Sequence, residues 1–171
     1  MGAAYRRAMD LLYLACATIA GVALVLITLI IPWSVFTRYV LNSAASWPEP
    51  AAILLSIVLT FFGSAACYRV GQHMQVTFVR DHLPPAPRRL ADVAAELLVA
   101  ALAAFMAVWG YRLCGDTWHQ SIAEFPVLSV GVTYLPIPLG GACLMLFVIE
   151  RLALGRPSAP AASRRIVVPF D

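Results

Sequence analysis

The sequence has no lysine, and all twelve of its basic residues are arginine. It is poor in charge of either sign: charged residues make up 12% of the 171 positions, against about 25% in ordinary soluble domains. With 61% hydrophobic residues and a mean hydropathy of +0.82, this composition excludes a soluble globular class and describes an integral membrane protein. The formal net charge of +3 is then a matter of membrane topology before it is one of ligands. No arginine-rich face or RNA-binding motif accompanies it, so nucleic acid is not an expected partner. Cysteine is sparse. Cys16, Cys67, Cys114 and Cys143 stand singly, with no C-x-x-C pair, and three of them lie in apolar stretches where a free thiol behaves as a small hydrophobe. Neither a disulfide framework nor a metal site is expected. Histidine is nearly absent, and His73, His82 and His119 all fall between apolar stretches, which leaves none inside the membrane to ligate a b-type haem. No serine, cysteine and histidine arrangement reads as a nucleophile with its base, so the chain is expected not to be an enzyme and to carry no cofactor.

What the sequence does have is long uncharged runs. Leu11 to Thr37 is twenty-seven residues without a charge, too long for the core of a cleaved signal peptide and read as a retained first span. Pro32 sits near its far end, and Arg38-Tyr39 closes it. A second run of nineteen uncharged residues, Pro50 to Tyr68, rises about 28 Å as a helix, close to the hydrocarbon thickness of a bilayer. Its entrance is Trp47-Pro-Glu-Pro50. With Trp47 as the cap, Pro48 and Pro50 fall in the first three helical positions, where no N–H is required, and Glu49 lies in the first turn, where the helix dipole favours a carboxylate. Glu49 is thus either a helix-end group alone or a partner contact. Further spans cover about 90–113 and 133–154, so the predicted class is all-α with four transmembrane helices at about 11–36, 48–69, 90–113 and 133–154. Residues 1–154 form one domain, and 155–171 a loosely ordered tail.

Small residues recur at helical spacing inside these spans. Ser56, Thr60, Gly63 and Ser64 share a face of the second, alanines 100, 103, 104 and 107 mark the third, and Gly140 and Gly141 follow Pro136 and Pro138 in the fourth. In lipid such faces let helices approach closely. Asp92 and Glu96 share one face at the start of the third span, able to reach the interface or a basic partner. Between the second and third spans, Met74, Phe78 and Val79 fall on one side of a short amphipathic segment suited to the headgroup plane.

Ten arginines (6, 7, 69, 80, 88, 89, 151, 156, 164 and 165) lie on the side of the termini and two (38 and 112) on the other. The positive-inside bias predicts both termini in the cytoplasm. All four tryptophans then lie at the outer end. No span carries a charge near its middle, where ion-coupled carriers place the groups that replace the hydration of their cargo. The chain by itself therefore has no evident cargo site.

Several motifs together resemble a known family. Arg38-Tyr39, Trp47-x-Glu49, Phe62-Gly63, Arg69-x-Gly71-x-His73-Met74-x-Val76, Leu83-Pro84 with Arg88-Arg89, and Pro138 with Gly140, in this order over roughly residues 10–154, resemble the small membrane subunit (DctQ-like) of tripartite ATP-independent periplasmic (TRAP) transporters. Pro50 stands where the family often has a second acidic residue, so no role of that carboxylate carries over. The resemblance implies a multi-pass protein of the bacterial inner membrane that braces a large carrier subunit and helps dock a periplasmic substrate-binding protein for ion-driven uptake of an organic acid. The alternative is a non-haem membrane anchor of a respiratory enzyme complex. Partner-contact or structural candidates are Arg38, Trp47, Glu49, Gly63, Arg69, Gly71, His73, Pro138 and Gly140. Among them Arg38 and Glu49 are expected at an outer protein contact, and Arg69 to Val76 against the inner headgroups or the large subunit.

Overall fold

The computed structural model describes residues 2–43, 45–71, 85–122, 125 and 129–154. Within them the chain is helical: α1 Gly2–Tyr39, α2 Pro48–Val70, α3 Pro85–Asp116, the short α4 Val130–Tyr134 and α5 Pro136–Leu154. Four segments are long and apolar enough to cross a membrane: Tyr5–Tyr39, Pro48–Val70, Leu90–Asp116 and Val130–Leu152. The expected amphipathic segment at 74–79 and the tail 155–171 lie outside the described residues.

Proline sets three of the helix starts. α2 begins at Pro48 with Trp47 in the cap position, making no side-chain capping bond. The Ala51 N–H donates to the Trp47 carbonyl at 3.1 Å, so the first intrahelical bond forms just after the two prolines. α3 starts at Pro85, five residues before the expected boundary. Pro85 and Pro87 occupy its first helical turn, which needs no N–H from them. α4 and α5 are parted at Leu135 because Pro136 has no N–H to give Val132; the Val132 carbonyl accepts from the Leu135 N–H at 3.3 Å instead. α1 runs through Pro32 as one helix of 38 residues. At about 57 Å it is far longer than a hydrocarbon core is thick. Gly71 ends α2 in the left-handed region, at φ 76°, and its N–H closes on the Tyr68 carbonyl at 3.1 Å. That conformation costs a residue with a Cβ about 1–2 kcal/mol.

The helices pack as neighbours in the order α1, α2, α5, α3. α1 and α3 run one way and α2 and α5 the other, so α2 and α5 lie parallel. The end where α1 and α3 begin and α2 and α5 stop is called the near end below. The core lies towards it: Met9, Ala65, Tyr68, Ala103, Leu144, Phe147 and Val148 form one buried cluster. Elsewhere large apolar side chains point outward along α1 and α3, Leu14, Val25, Leu29, Leu98 and Phe105 among them, as a surface adapted to lipid or to another membrane protein requires.

Glycine governs how closely α5 approaches its neighbours. A Cβ on Gly140 would stand 2.8 Å from the Phe61 Cβ and 3.2 Å from its backbone, and one on Gly141 would stand 2.9 Å from the Ala107 nitrogen. Gly63 is different: a Cβ there would meet the Ala20 Cβ at 3.8 Å, an ordinary contact. Gly140→Ala should therefore lower the unfolding midpoint in detergent, with a cost of about 1–3 kcal/mol from overpacking. Gly63→Ala should stay within about 0.5 kcal/mol of the unaltered chain. Equal losses would show that the α2–α5 contact is no closer than the α1–α2 contact.

Candidate functional site

The near end gathers charge from every span. Arg69, in the last turn of α2, donates from Nε to Glu150 Oε2 at 2.9 Å and from Nη2 to Glu150 Oε1 at 3.0 Å, a bidentate pair with α5. Nη2 also donates to Asp10 Oδ1 of α1 at 2.7 Å. The Arg69 and Glu150 side chains are each 3% exposed, whereas Asp10 stays 58% exposed at the rim. The guanidinium lies over the rings of Tyr13 and Phe147, with centroids at 5.7 and 5.5 Å. A second pair adjoins the first. Arg151 Nε meets Glu96 Oε1 of α3 at 2.8 Å, the Tyr68 hydroxyl donates to Glu96 Oε2, and the Arg151 guanidinium covers the Tyr68 ring at 5.3 Å.

The local sequence explains the convergence. Tyr68 and Arg69 are consecutive, about 100° apart on α2, so one addresses α3 and the other reaches between α1 and α5. Glu150 and Arg151 do the same from α5. Three carboxylates and two guanidinium groups therefore join all four spans. The arginine fork matches a carboxylate with two parallel N–H bonds. Aromatic rings on the flat faces of Arg69 supply cation–π attraction where water is excluded. Arg69 Nη1 is buried without a hydrogen bond, a desolvation cost that the remaining charge-assisted bonds offset.

This arrangement suits cohesion better than turnover. The buried carboxylate and guanidinium groups are occupied by one another, and among the described residues no three His, Cys, Asp or Glu side chains are disposed to hold a metal ion. Within the bundle buried Cys16 of α1 and half-buried Cys143 of α5 adjoin one another, both being free cysteines. The single, scattered placing of the cysteines does not foretell that meeting.

The opposite end is more open. Arg38, in the last turn of α1, and Glu49, in the first turn of α2, are exposed and line one cleft of about 630 Å³ with Ala45, Ser46, Pro50, Ile53, Leu54 and Ile122. Ile122 arrives from the connector after α3, which folds back on itself. Val130 N–H donates to the Gln120 carbonyl at 2.8 Å, Gly131 N–H to the Thr117 carbonyl at 3.2 Å, and the Ser129 hydroxyl to the Trp118 carbonyl. Trp33, Trp47, Trp109 and Trp118 are all partly exposed at this end.

The sequence candidates thus separate. Arg38, Trp47 and Glu49 collect at the far end. Gly63 and Gly140 are helix contacts within the chain, and Pro138 packs where a Cβ on Gly110 of α3 would stand, 2.9 Å from the proline Cδ. Gly71 caps α2, and His73 lies outside the described residues. Arg69 faces inward to Asp10 and Glu150, away from the headgroup or subunit contact considered for it. Sequence alone singles out none of Asp10, Tyr68, Glu150 and Arg151 as candidates, and marks Glu96 only as able to reach the interface or a basic partner. A usable signal is that ionisable residues recur within a turn or so of the near end of each span, with both signs on α1, α3 and α5.

Arg69→Gln should strand the buried Glu150 and destabilise the chain by about 3–5 kcal/mol. Tyr68→Phe, which removes one hydroxyl donor, should cost about 1 kcal/mol. Unfolding of the purified protein in mixed micelles, followed by circular dichroism, measures both; similar losses would mean that Arg69 holds no special place in the cluster.

Comparison with known proteins agrees with this architecture. Residues 27–156 match the family model described as tripartite ATP-independent periplasmic transporters, DctQ component. The sialic acid TRAP transporter small permease protein of Vibrio cholerae is 25% identical over 127 residues, covering 72% of this chain and 70% of that protein. A putative TRAP transporter small permease protein of Haemophilus influenzae is 25% identical over 135 residues, covering 75% and 80% respectively. With four apolar spans and a family match over most of its length, the chain belongs to the DctQ family, as a small permease subunit of a TRAP transporter.

Proposed function

We propose that this small permease subunit is the brace of its transporter: it fixes a large carrier subunit in the bacterial inner membrane and helps dock a periplasmic substrate-binding protein for ion-driven uptake of an organic acid. Both termini face the cytoplasm, so the near end is the inner one and the far end the outer one. The observation that carries this reading is where the charges are. Arg69, Glu96, Glu150 and Arg151 are matched within the chain at one end, and the stretches 11–37, 50–68, 97–111 and 130–149 carry no charged residue. A polar solute crossing the bilayer needs groups at mid-depth to replace its hydration. This chain supplies mutual attachment of its spans instead, with the apolar faces of α1 and α3 left for lipid and for the carrier subunit. The ten-to-two distribution of arginine supports the orientation.

The family also favours a transporter over a respiratory anchor. Uptake of an organic acid is in keeping with the sialic acid named for the relative in Vibrio cholerae. On this reading the far-end tryptophans, with Arg38 and Glu49, form the face that neighbours meet on the outer side.

A tagged chain extracted in mild detergent should bring a large membrane subunit with it. Reconstituted alone in liposomes, it should accumulate no organic acid under an ion gradient. Vesicles that concentrate such a solute with this chain alone would overturn the reading.

A further inference from the structure

The cleft between Arg38 and Glu49 combines three properties. Its two charges are of opposite sign, yet among the described residues neither makes an ion pair or hydrogen bond, with each other or with anything else. Each is favoured where it stands by its own helix. Arg38 lies by the negative C-terminal end of α1 and Glu49 by the positive N-terminal end of α2, which lessens the need for them to pair. Below the charges the wall is apolar, formed by Pro50, Ile53, Leu54 and Ile122, and Ile53 is 58% exposed. Finally, the cleft sits where two apolar spans end. Arg38 and Glu49 each lie one residue inside the ends of the spans Tyr5–Tyr39 and Pro48–Val70, at the level where a bilayer changes from hydrocarbon to headgroup. The cleft's volume, about 630 Å³, falls within the roughly 300–1,000 Å³ of small-ligand sites.

The geometry points to a zwitterionic phospholipid with a primary ammonium as the occupant: a phosphoethanolamine headgroup, its phosphate on Arg38, its ammonium on Glu49, and its acyl chains along Ile53 and Leu54. Phosphate on guanidinium and ammonium on carboxylate are both charge-assisted hydrogen bonds, about twice as strong as neutral ones. An anionic glycerol headgroup would satisfy Arg38 but set its charge near Glu49. A choline headgroup has the charge for Glu49 but no N–H to donate to it. Of these three headgroups only the ethanolamine satisfies both side chains. Its role is to fill the notch where the α1–α2 turn meets the connector after α3, so that the far end presents a continuous surface at the membrane boundary. This deepens the proposed function by naming the neighbour of Arg38 and Glu49, and it rests on that reading only in placing the far end at a membrane surface.

Native mass spectrometry of the full chain, released from mixed micelles with whatever subunits accompany it, tests the assignment. The probes are dioleoyl phosphatidylethanolamine, phosphatidylcholine and phosphatidylglycerol at equal concentration. The unaltered chain should retain the ethanolamine lipid roughly two- to fivefold better than either competitor, as expected of partly exposed charge pairs. Arg38→Gln should lower retention of both the ethanolamine and the glycerol lipid. Glu49→Gln should reverse the order, gaining phosphatidylglycerol while losing phosphatidylethanolamine. This change of sign is one that loss of fold would not produce. Equal retention of all three lipids by the unaltered chain, or an unchanged order in Glu49→Gln, would overturn the assignment. So would loss of an accompanying protein from both variants with lipid retention unmoved, since the pair would then be a protein contact. Co-extraction of the large subunit is scored in the same spectra, so failure of the lipid assignment and failure of the bracing reading are told apart.

Discussion

A charge that enters a bilayer must be matched, and the matching of Arg69 organises this chain. A guanidinium left alone near hydrocarbon costs several kcal/mol. Here it is enclosed by a bidentate carboxylate from α5, a second carboxylate from α1 and two aromatic faces. Satisfying it fixes three helices at one level. The adjoining Glu96, Tyr68 and Arg151 bring in the fourth. Apolar contact alone could not do this in lipid, because leucine gains little by leaving acyl chains for another leucine. The charged end gives the bundle its register, and the closely approaching small residues of α5 give it its spacing.

The two ends are unlike for the same reason. At the near end opposite charges face one another across helices, and Arg69 and Glu150 are removed from solvent, which makes a closed joint. Beyond the far end Arg38 and Glu49 keep their charges turned outward over an apolar notch, and tryptophans ring the boundary. The bracing role proposed for this subunit calls for this asymmetry: one end tied to itself and the other available to its surroundings. The uncharged stretches between the ends leave the bundle without charged footholds for a solute.

Much of the fold was legible because bilayer thickness acts on length and composition alone. Uncharged runs of nineteen and twenty-seven residues announce helices whatever they pack against. The proline-rich entry of α2 placed its first turn correctly, since a cap at Ser46 would put Pro50 where the first intrahelical bond needs an N–H. The start of α3 was less legible: prolines open helices as readily as they end them, and only the chain direction tells the two apart. The cluster was hidden for a different reason. Asp10 and Glu150 are 140 residues apart in sequence and meet on Arg69 only because α1, α2 and α5 are neighbours, and the order of helices in a bundle is not written in hydropathy. Gly140 was readable as a close contact, but its partner Phe61 was not. The meeting of Cys16 with Cys143 likewise needs the helix order first.

If the buried pair is the joint of the bundle, most of the damage from removing Arg69 comes from the carboxylate it leaves behind. The direct measurement is a double-mutant cycle on unfolding free energy in mixed micelles, with Arg69→Met, Glu150→Leu and the two combined. Coupling predicts that the combined variant is more stable than Arg69→Met alone, because no charge remains stranded. A combined loss equal to the sum of the single losses would mean that the two side chains do not act as a unit, and the account of how the four spans are held would be contradicted.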